Sequence, residues 1–503
     1  MNNTINNATF ALILSASFFL PNSILYAEKI SAKNTIENET KPKPAQVSIK
    51  SKQHPQQLPK SVKKLLRKYA IPEKNLSIYI KDLNADKPLI ELNTQKLRNP
   101  ASTMKLLTTY AALKILKPNY TWKTEAWVRG KISDGVLNGD LILKGYGDPF
   151  LVHKNYWKFI QGLRDKGLVE IKGKIIIDNS YFEVPDTYNG EFDNRPFRTY
   201  NATPSALMYN FQASRFLFRP DKNKKRVDII PYPWIAELSY INKVKYSKGR
   251  CKRSHYFPRF QKNEKELKIS GHYSSGCGQQ FILRVLSEPA QHAFNGFRDF
   301  WRSLGGKMGD DMETGTVQKG DVRLHTYYSE SLGNQIRVIN KWSNNVMTRQ
   351  LLLTLGAKKY GKPGTLEKGR RAILETLADN GIDNKDIIID NGSGLSRTVR
   401  VTASQHAQLL ERAWRDEFMP EFMSSLSLSG LDGTLVNRFR NDDMKGRSHM
   451  KTGTLRNAKS IAGYMLNRQG KWLVVVMHHN GAKIGGGRGS KIQNAMLRWA
   501  FEQ

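Results

Sequence analysis

Ser102 and Lys105 are the residues of this sequence whose types and spacing are best suited to chemistry. They lie three positions apart, after Pro100 and before an apolar run that reaches Leu113. This pattern predicts the first turn of a buried helix, with both side chains on one face. A serine hydroxyl needs a base to become a nucleophile, and a lysine can be that base only when burial or a second cation keeps its amine neutral. The pair therefore predicts acyl transfer through a serine ester.

The Ser-x-x-Lys pattern is weak by itself, because it occurs three times, starting at Ser61, Ser102 and Ser448. Ser61 borders a basic stretch in which its lysine would be hydrated, and Ser448 enters a predicted strand, where residues three apart face opposite sides. Two further motifs favour Ser102: Ser-x-Asn occurs once, at Ser343, and Lys-Thr-Gly occurs once, at Lys451. Three elements in the order helix, loop and strand are far more specific than one.

Strands at both ends of the chain are expected to position these motifs. Alternating apolar residues predict two strands, at 76–83 and 88–92, directly before the serine helix. Near the C-terminus, three apolar runs of strand length predict adjacent antiparallel strands, at 449–454, 461–466 and 472–477. A final helix follows them. We expect an α+β fold in which one antiparallel sheet is built from both ends of the sequence.

The middle of the chain is predicted to be an insertion. A chain of 503 residues exceeds one compact core and predicts two or three domains. Between residues 122 and 289 the pattern changes to short strands and turns, with a hairpin turn expected at 137–140. A predicted helix and strand within it indicate a mixed α/β and β-rich region. The catalytic domain would then comprise residues 62–121 and 290–503.

The three motifs resemble those of penicillin-binding proteins and serine β-lactamases. The resemblance extends to the large insertion and to three further segments, namely 147–149 (Gly-Asp-Pro), 390–397 (Asp-Asn-Gly-Ser-Gly-Leu-Ser-Arg) and 428–434 (Leu-Ser-Gly-Leu-Asp-Gly-Thr). From about residue 62 to the C-terminus, the chain is similar to the D-alanyl-D-alanine carboxypeptidase/endopeptidase family called penicillin-binding protein 4 or DacB, of low-molecular-mass class C and peptidase family S13. The resemblance implies a β-lactamase/transpeptidase-like catalytic domain, an antiparallel sheet flanked by helices, split by the insertion.

The resemblance also implies the catalytic roles. Ser102 would attack the carbonyl of the penultimate D-alanine, and Lys105, kept neutral by burial and by the nearby Lys451 cation, would take its proton. Ser343 would relay that proton to the leaving amine. Asn345 would hold both Lys105 and the substrate amide, since its side chain both donates and accepts hydrogen bonds. We expect peptidoglycan stem peptides as substrates and β-lactams as inhibitors.

Substrate-binding residues follow from the same resemblance. Thr452 and the lysine before it would bind the terminal carboxylate, and Gly453 would leave room for substrate along the strand. The backbone N–H of Thr454 and that of the catalytic serine would form the oxyanion hole. Asp148 and Arg397 would help to bind the diamino-acid side chain of the stem peptide. A β-lactamase, which deacylates penicillin quickly, is the alternative within the same group of enzymes.

The charge of the chain constrains its partners and its compartment. Lys and Arg number 80 against 44 Asp and Glu, a net charge of +36, which favours anionic partners such as a wall polymer, a membrane surface or nucleic acid. An apolar run at 10–20 predicts a signal peptide over residues 1–27, hence an exported, periplasmic protein, and residues 28–61 predict a disordered basic tether. An uncleaved anchor is the alternative. A non-catalytic polyanion binder is disfavoured by the intact motifs, and we expect no specific nucleic-acid binding.

Cys251 and Cys277 are the two cysteines of the chain. In an exported protein they are expected to form one disulfide, the alternative being two free buried thiols. Their spacing matches no zinc motif. The sequence therefore predicts neither a metal site nor a cofactor.

Overall fold

The computed structural model describes residues 57–185, 189–251 and 258–503. The predicted signal peptide and most of the predicted tether lie outside these ranges. The described chain begins close to the predicted domain start: Leu58 and Val62 are buried, and the first helix starts at Lys60. No helix in the described ranges has both the length and the apolar character needed to cross a membrane.

The helices in chain order are α1 (Lys60–Tyr69), α2 (Lys105–Leu116), α3 (His153–Asp165), α4 (Pro289–Ser303), α5 (Leu332–Trp342), α6 (Asn345–Tyr360), α7 (Leu366–Asp379), α8 (Ala403–Trp414), α9 (Met419–Ser425) and α10 (Arg488–Phe501). The strands are β1 (Leu76–Asp82), β2 (Ile90–Leu92), β3 (Lys123–Ser133), β4 (Val136–Gly145), β5 (Glu170–Ile171), β6 (Ile175–Asp178), β7 (Ser214–Asp221), β8 (Arg226–Tyr232), β9 (Ser239–Arg250), β10 (Arg259–Lys262), β11 (Glu266–Gly276), β12 (Gln280–Arg284), β13 (Lys307–Met308), β14 (Met312–Thr314), β15 (Val322–Tyr328), β16 (Ser427–Leu428), β17 (Ser448–Leu455), β18 (Ala458–Leu466) and β19 (Trp472–Asn480).

The catalytic domain is organised around a six-stranded sheet in the order β16-β17-β18-β19-β1-β2. Its pairs are antiparallel, and β19 pairs with β1 from Leu76 opposite His479 to Asp82 opposite Leu473. The prediction of one sheet built from both ends of the chain is therefore confirmed. The three predicted C-terminal strands are also confirmed as neighbours.

Both faces of this sheet are covered by helices, which explains the continuous apolar run at 473–477 in its central strand β19. Val474 and Val476 pack in one buried cluster with α2 and α5–α9, whereas Leu473 and Val475 pack in a second cluster with α1 and α10. Alternating residues of a strand point to opposite faces, so a strand buried on both faces reads as a continuous apolar run. The predicted α+β class follows from this helix–sheet–helix arrangement.

The insertion is longer than predicted. A mixed sheet in the order β13-β5-β4-β3-β15, with β6 and β14 paired to each other and β6 to β4, includes strands from both sides of residue 289. Residues Val322–Tyr328 (β15) pair with β3, and α4 packs in the same core as α3. The predicted boundary at residue 289 is therefore wrong, and this sheet ends near residue 328. The missed strands β13 and β14 are short and pair in parallel with distant partners.

Two small sheets complete the insertion, in the orders β10-β11-β9 and β12-β7-β8. The predicted disulfide is present between Cys251, just after β9, and Cys277, just after β11. The hairpin between β3 and β4 turns at Asp134 and Gly135, and not at 137–140 as predicted, because Asn138 and Gly139 are paired within the ladder opposite residues 131 and 130.

Candidate active site

A tight turn holds Ser102 against the start of α2. Residues Ala101–Met104 form one turn of 3₁₀ helix, and Lys105 is the first residue of α2. The Nζ of Lys105 lies 3.2 Å from Ser102 Oγ. The helix that follows is buried on nearly every side, so the lysine at its start is enclosed by the domain core. The structure thus brings the predicted nucleophile and base within hydrogen-bonding distance.

Lys105 is surrounded in a way that suits a neutral amine. Its side chain is fully buried, and Nζ donates to Asn345 Oδ1 at 2.7 Å and to the carbonyl of Ser393 at 2.5 Å. Burial lowers the pKa of Lys105 well below its ordinary value, and the positive charges of Lys451 and Arg349 lower that pKa further. A neutral amine has two protons for these two acceptors and one lone pair left for the Ser102 hydroxyl.

The junction between α5 and α6 presents the second motif. Ser343 follows the last residue of α5 in a left-handed conformation, with φ of 56°. Asn344 caps α6, because its side chain accepts a hydrogen bond from the backbone N–H of Met347 at 3.1 Å. Asn345 then begins α6. A junction of only two residues, Ser343 and Asn344, therefore holds Ser343 and Asn345 between two helix ends.

Strand β17 supplies the third motif. The Nζ of Lys451 donates to Ser343 Oγ at 2.8 Å and to the carbonyl of Thr452 at 2.9 Å. Lys451 is fully buried, and burial lowers its pKa to about 7. This lysine links the second motif to the third and is a charged neighbour of Lys105.

Gly453 lets β17 approach the serine turn closely. A Cβ at this position would lie 2.1 Å from Ser460 Oγ, 2.6 Å from the carbonyl oxygen of Pro100 and 2.9 Å from the backbone nitrogen of Ser102. No side chain larger than hydrogen fits such a gap. The next residue, Thr454, is exposed and lines the same cleft as Ser102. The glycine therefore brings the N–H groups of Ser102 and Thr454 into one region.

The 390–397 segment forms a loop that packs behind the base. Besides the Ser393 carbonyl, the Gly392 carbonyl accepts a hydrogen bond from Thr108 Oγ1 of α2 at 2.8 Å. Gly394 has a φ of 77°, and a Cβ there would meet the carbonyl oxygen of Ala101 at 1.9 Å. The loop is thus fitted to the serine turn. Sequence patterns gave no sign that its backbone, rather than a side chain, contacts Lys105.

A cleft of about 1390 Å³ opens at this cluster. Its lining includes Ser102, Ser343, Asn345, Thr454 and Arg397. The insertion and the 390–397 loop both contribute, as the guanidinium of the loop arginine donates at 3.0 Å to the carbonyl oxygen of residue 192 in the insertion. The predicted site residues in this lining all lie in the predicted catalytic domain, and the insertion adds residues that were not predicted, such as Arg195.

Asp148 is placed apart from this cleft and does not contribute to its lining. It is 2% exposed, and its Oδ1 accepts hydrogen bonds from the backbone N–H of Phe150 at 2.9 Å and from Gln335 Nε2 at 3.1 Å. Burial raises its pKa to about 6. The geometry gives Asp148 the position of a turn-stabilising carboxylate between the insertion and α5.

Arg349 is the residue that sequence reasoning missed. It lies one helical turn after Asn345 on α6, and its guanidinium donates to the carbonyl of Ala202 at 3.2 Å. Its charge acts on Lys105 although no motif includes it. The i, i+4 spacing from Asn345 was the available signal.

In the described ranges, no group of His, Cys, Asp or Glu side chains is arranged to hold a metal ion.

Residues 58–503 match the D-Ala-D-Ala carboxypeptidase 3 (S13) family. The chain belongs to this family. It is accordingly a serine-type D-Ala-D-Ala carboxypeptidase of the penicillin-binding group, as the predicted motifs indicated. This membership covers the catalytic domain and the insertion together.

Relatives of this chain agree with the family. It is 25% identical to D-alanyl-D-alanine carboxypeptidase DacB of Haemophilus influenzae, over 82% of this chain and 87% of the relative. It is also 25% identical to D-alanyl-D-alanine carboxypeptidase of Actinomadura sp. strain R39, over 74% and 71% of the two chains. The crystal structure of penicillin-binding protein 4 (dacB) from H. influenzae superposes with a TM-score of 0.73 at 20% identity, covering 88% of this chain and 99% of that one. The fold is thus the penicillin-binding protein 4 fold.

Proposed function

We propose that this chain removes the terminal D-alanine of peptidoglycan stem peptides, or cuts the D-alanyl bond of a cross-link, through an ester on Ser102. The observation that carries the proposal is the position of Lys105 Nζ, 3.2 Å from the serine Oγ. This buried amine also donates hydrogen bonds to the side-chain oxygen of Asn345 and to the carbonyl of Ser393. This arrangement favours the neutral amine, which is the form able to accept the serine proton.

The reaction follows from these contacts. Lys105 takes the proton of Ser102 as Oγ attacks the carbonyl carbon of the penultimate D-alanine. The resulting oxyanion is stabilised by the backbone N–H groups of Ser102 and Thr454. Ser343, hydrogen-bonded to Lys451, relays the proton that Lys105 took from Ser102 to the departing amine as the C–N bond breaks, which leaves Lys105 neutral again. Water then attacks the ester while Lys105 takes its proton, and Lys105 returns that proton to Ser102 Oγ as the ester C–O bond breaks and the shortened peptide leaves.

Substrate binding uses the edge of β17 and the wide cleft. Lys451 and Thr452 bind the terminal carboxylate, and Arg397, together with Arg195 and Arg400 of the same lining, suits the further carboxylates of a stem peptide. The size of the cleft accommodates either a single stem peptide or a cross-linked pair. We leave Asp148 out of this substrate site, because its carboxylate is buried outside the cleft.

Export and electrostatic attachment complete the proposal. A cell-wall substrate requires a location outside the cytoplasm, in agreement with the predicted signal peptide over residues 1–27. A net charge of +36 also favours association with an anionic wall polymer or membrane surface, which is weakened by salt. Sedimentation with isolated wall material in low and high salt measures this association.

Covalent labelling with fluorescent penicillin tests the proposed nucleophile. We expect the wild-type protein and Ser61→Ala, which changes the serine of another Ser-x-x-Lys pattern, to be labelled equally, whereas Ser102→Ala is not labelled. Labelling that survives Ser102→Ala would refute the assignment. Rapid loss of the label would favour a β-lactamase. Incubation with cross-linked and uncross-linked muropeptides, followed by mass analysis, distinguishes endopeptidase from carboxypeptidase action.

A further inference from the structure

The 428–434 segment brings a second hydroxyl group to the proposed carboxylate-binding residue. Thr452 Oγ1 on β17 donates a hydrogen bond to Thr434 Oγ1 at 2.8 Å. Thr434 is exposed and Thr452 is partly exposed, so both hydroxyls remain accessible to a ligand. Lys451, the neighbour of Thr452 on β17, donates from its Nζ to the carbonyl of Thr452 at 2.9 Å. Two accessible hydroxyls therefore lie together beside a buried lysine.

The position of Thr434 is fixed by its surroundings. Its backbone N–H donates to Ser427 Oγ at 3.2 Å, and its own hydroxyl lies 3.3 Å from the same atom. The preceding Gly433 has a φ of 53°, and a Cβ there would lie 2.4 Å from Ser427 Oγ and 2.6 Å from the carbonyl oxygen of Lys341. An ion pair of 2.6 Å between Lys341 Nζ and Asp432 Oδ2 ties the segment to α5. The hydroxyl is thus held in place before any ligand binds.

This geometry suits a carboxylate. A carboxylate has two acceptor oxygens, and two hydroxyls on adjacent, fixed positions can each donate to one of them. Their mutual hydrogen bond satisfies both groups until an anion replaces it. Thr434 touches no part of the serine–lysine pair in the described hydrogen bonds, so its contribution concerns binding rather than proton transfer.

We propose that Thr434 is a specificity-determining residue which, with Thr452, binds the terminal carboxylate of the acyl donor. This inference rests on the proposed function, because it assumes that the donor ends in a free carboxylate. It assigns the 428–434 segment a role in selecting acids over neutral peptide ends.

The test compares two donors, a peptide ending in D-Ala-D-Ala and the same peptide with a C-terminal amide. For each protein the ratio of the two kcat/KM values is measured. We expect Thr434→Val to lower kcat/KM for the acid by about tenfold to a hundredfold, which is the range for loss of a hydrogen bond to a charged group. The decrease should come mainly from a higher KM. For the amide, kcat/KM should change little. Thr434→Ser should keep the wild-type ratio, as should Thr121→Val, which alters an exposed threonine outside the 428–434 segment.

An unchanged acid-to-amide ratio in Thr434→Val would overturn the inference, and so would an equal loss on both donors, which would indicate a purely structural role. Penicillin labelling separates this result from the proposed function. If the wild-type protein is labelled at Ser102 and Thr434→Val keeps the acid-to-amide ratio, only the proposed role of Thr434 is refuted. If the wild-type protein is neither labelled nor active on either donor, both proposals are refuted.

Discussion

Replacing Gly453 by alanine is the sharpest single test of how the site is built. The new Cβ would lie 2.1 Å from Ser460 Oγ, 2.6 Å from the Pro100 carbonyl oxygen and 2.9 Å from the Ser102 nitrogen. The serine hydroxyl can rotate away, but the two backbone atoms belong to the turn that carries the nucleophile. Relief of the overlap therefore requires β17 to move away from that turn by a large fraction of an ångström.

Two costs follow from this displacement. Overpacking of a rigid site typically costs about 1–3 kcal/mol of stability. Separating the N–H of Thr454 from that of Ser102 removes one oxyanion donor, which typically costs about 2.7–4 kcal/mol in the transition state, or ~10²–10³ in rate. We therefore expect Gly453→Ala to remain folded, with a lower Tm, and to be acylated by fluorescent penicillin about a hundredfold to a thousandfold more slowly.

Gly485→Ala provides the matched control, because a Cβ there meets no atom within 4 Å and its φ is not in the left-handed region. It should be acylated at the wild-type rate with an unchanged Tm. If Gly453→Ala were folded and acylated within about threefold of wild type, the close approach of β17 would not matter for the oxyanion, and the assignment of the Thr454 N–H would be refuted.

Further predictions concern charge and the insertion. Because burial lowers the pKa of Lys451 to about 7, kcat/KM should fall as pH rises through about 7 and this cation is lost, whereas on the acidic side it should rise as Lys105 loses its proton. Arg349→Met removes a cation that lowers the pKa of Lys105, so the acidic limb of that profile should move to higher pH; Arg349→Lys keeps the charge and should leave the limb in place, and an unmoved limb in Arg349→Met would contradict the coupling. Replacing Cys251 and Cys277 by serine should destabilise the insertion by about 3 kcal/mol, detected as a lower Tm, because the disulfide closes a loop with a sequence separation of 26 residues; acylation by a small penicillin should not change, and an unchanged Tm would argue against this stabilisation.

The helices and strands that could be predicted from the sequence are those defined by a local pattern of residues. Apolar runs identified β17, β18 and β19, and the Ser-x-x-Lys spacing identified the start of α2. The sheet built from both ends was predicted because two strands precede the serine helix and three more lie near the C-terminus, and the observed strand order agrees. The three motifs then placed Ser343 and Lys451 next to the serine before any contact was known.

Other features depend on contacts that no local pattern records. Ser393 contacts Lys105 through its backbone carbonyl, so the identity of its side chain does not predict the contact. The turn of the β3–β4 hairpin was misplaced because Asp134-Gly135 and Asn138-Gly139 are both turn-forming pairs, and only the ladder register decides between them. The boundary of the insertion was misplaced because β15 returns to β3 after nearly two hundred residues.

Because the central sheet is built from both ends of the chain, the active site needs strands that are synthesised last. Ser102 and Lys105 leave the ribosome early, whereas Lys451 and the Thr454 N–H lie on β17, which is synthesised about 350 residues later. Contacts between such distant segments form late in folding, since loop closure opposes them. A nascent or truncated chain would therefore contain the serine and its base without the second cation or a complete oxyanion hole. We therefore expect a chain that ends before β17 to have no acyl-transfer activity.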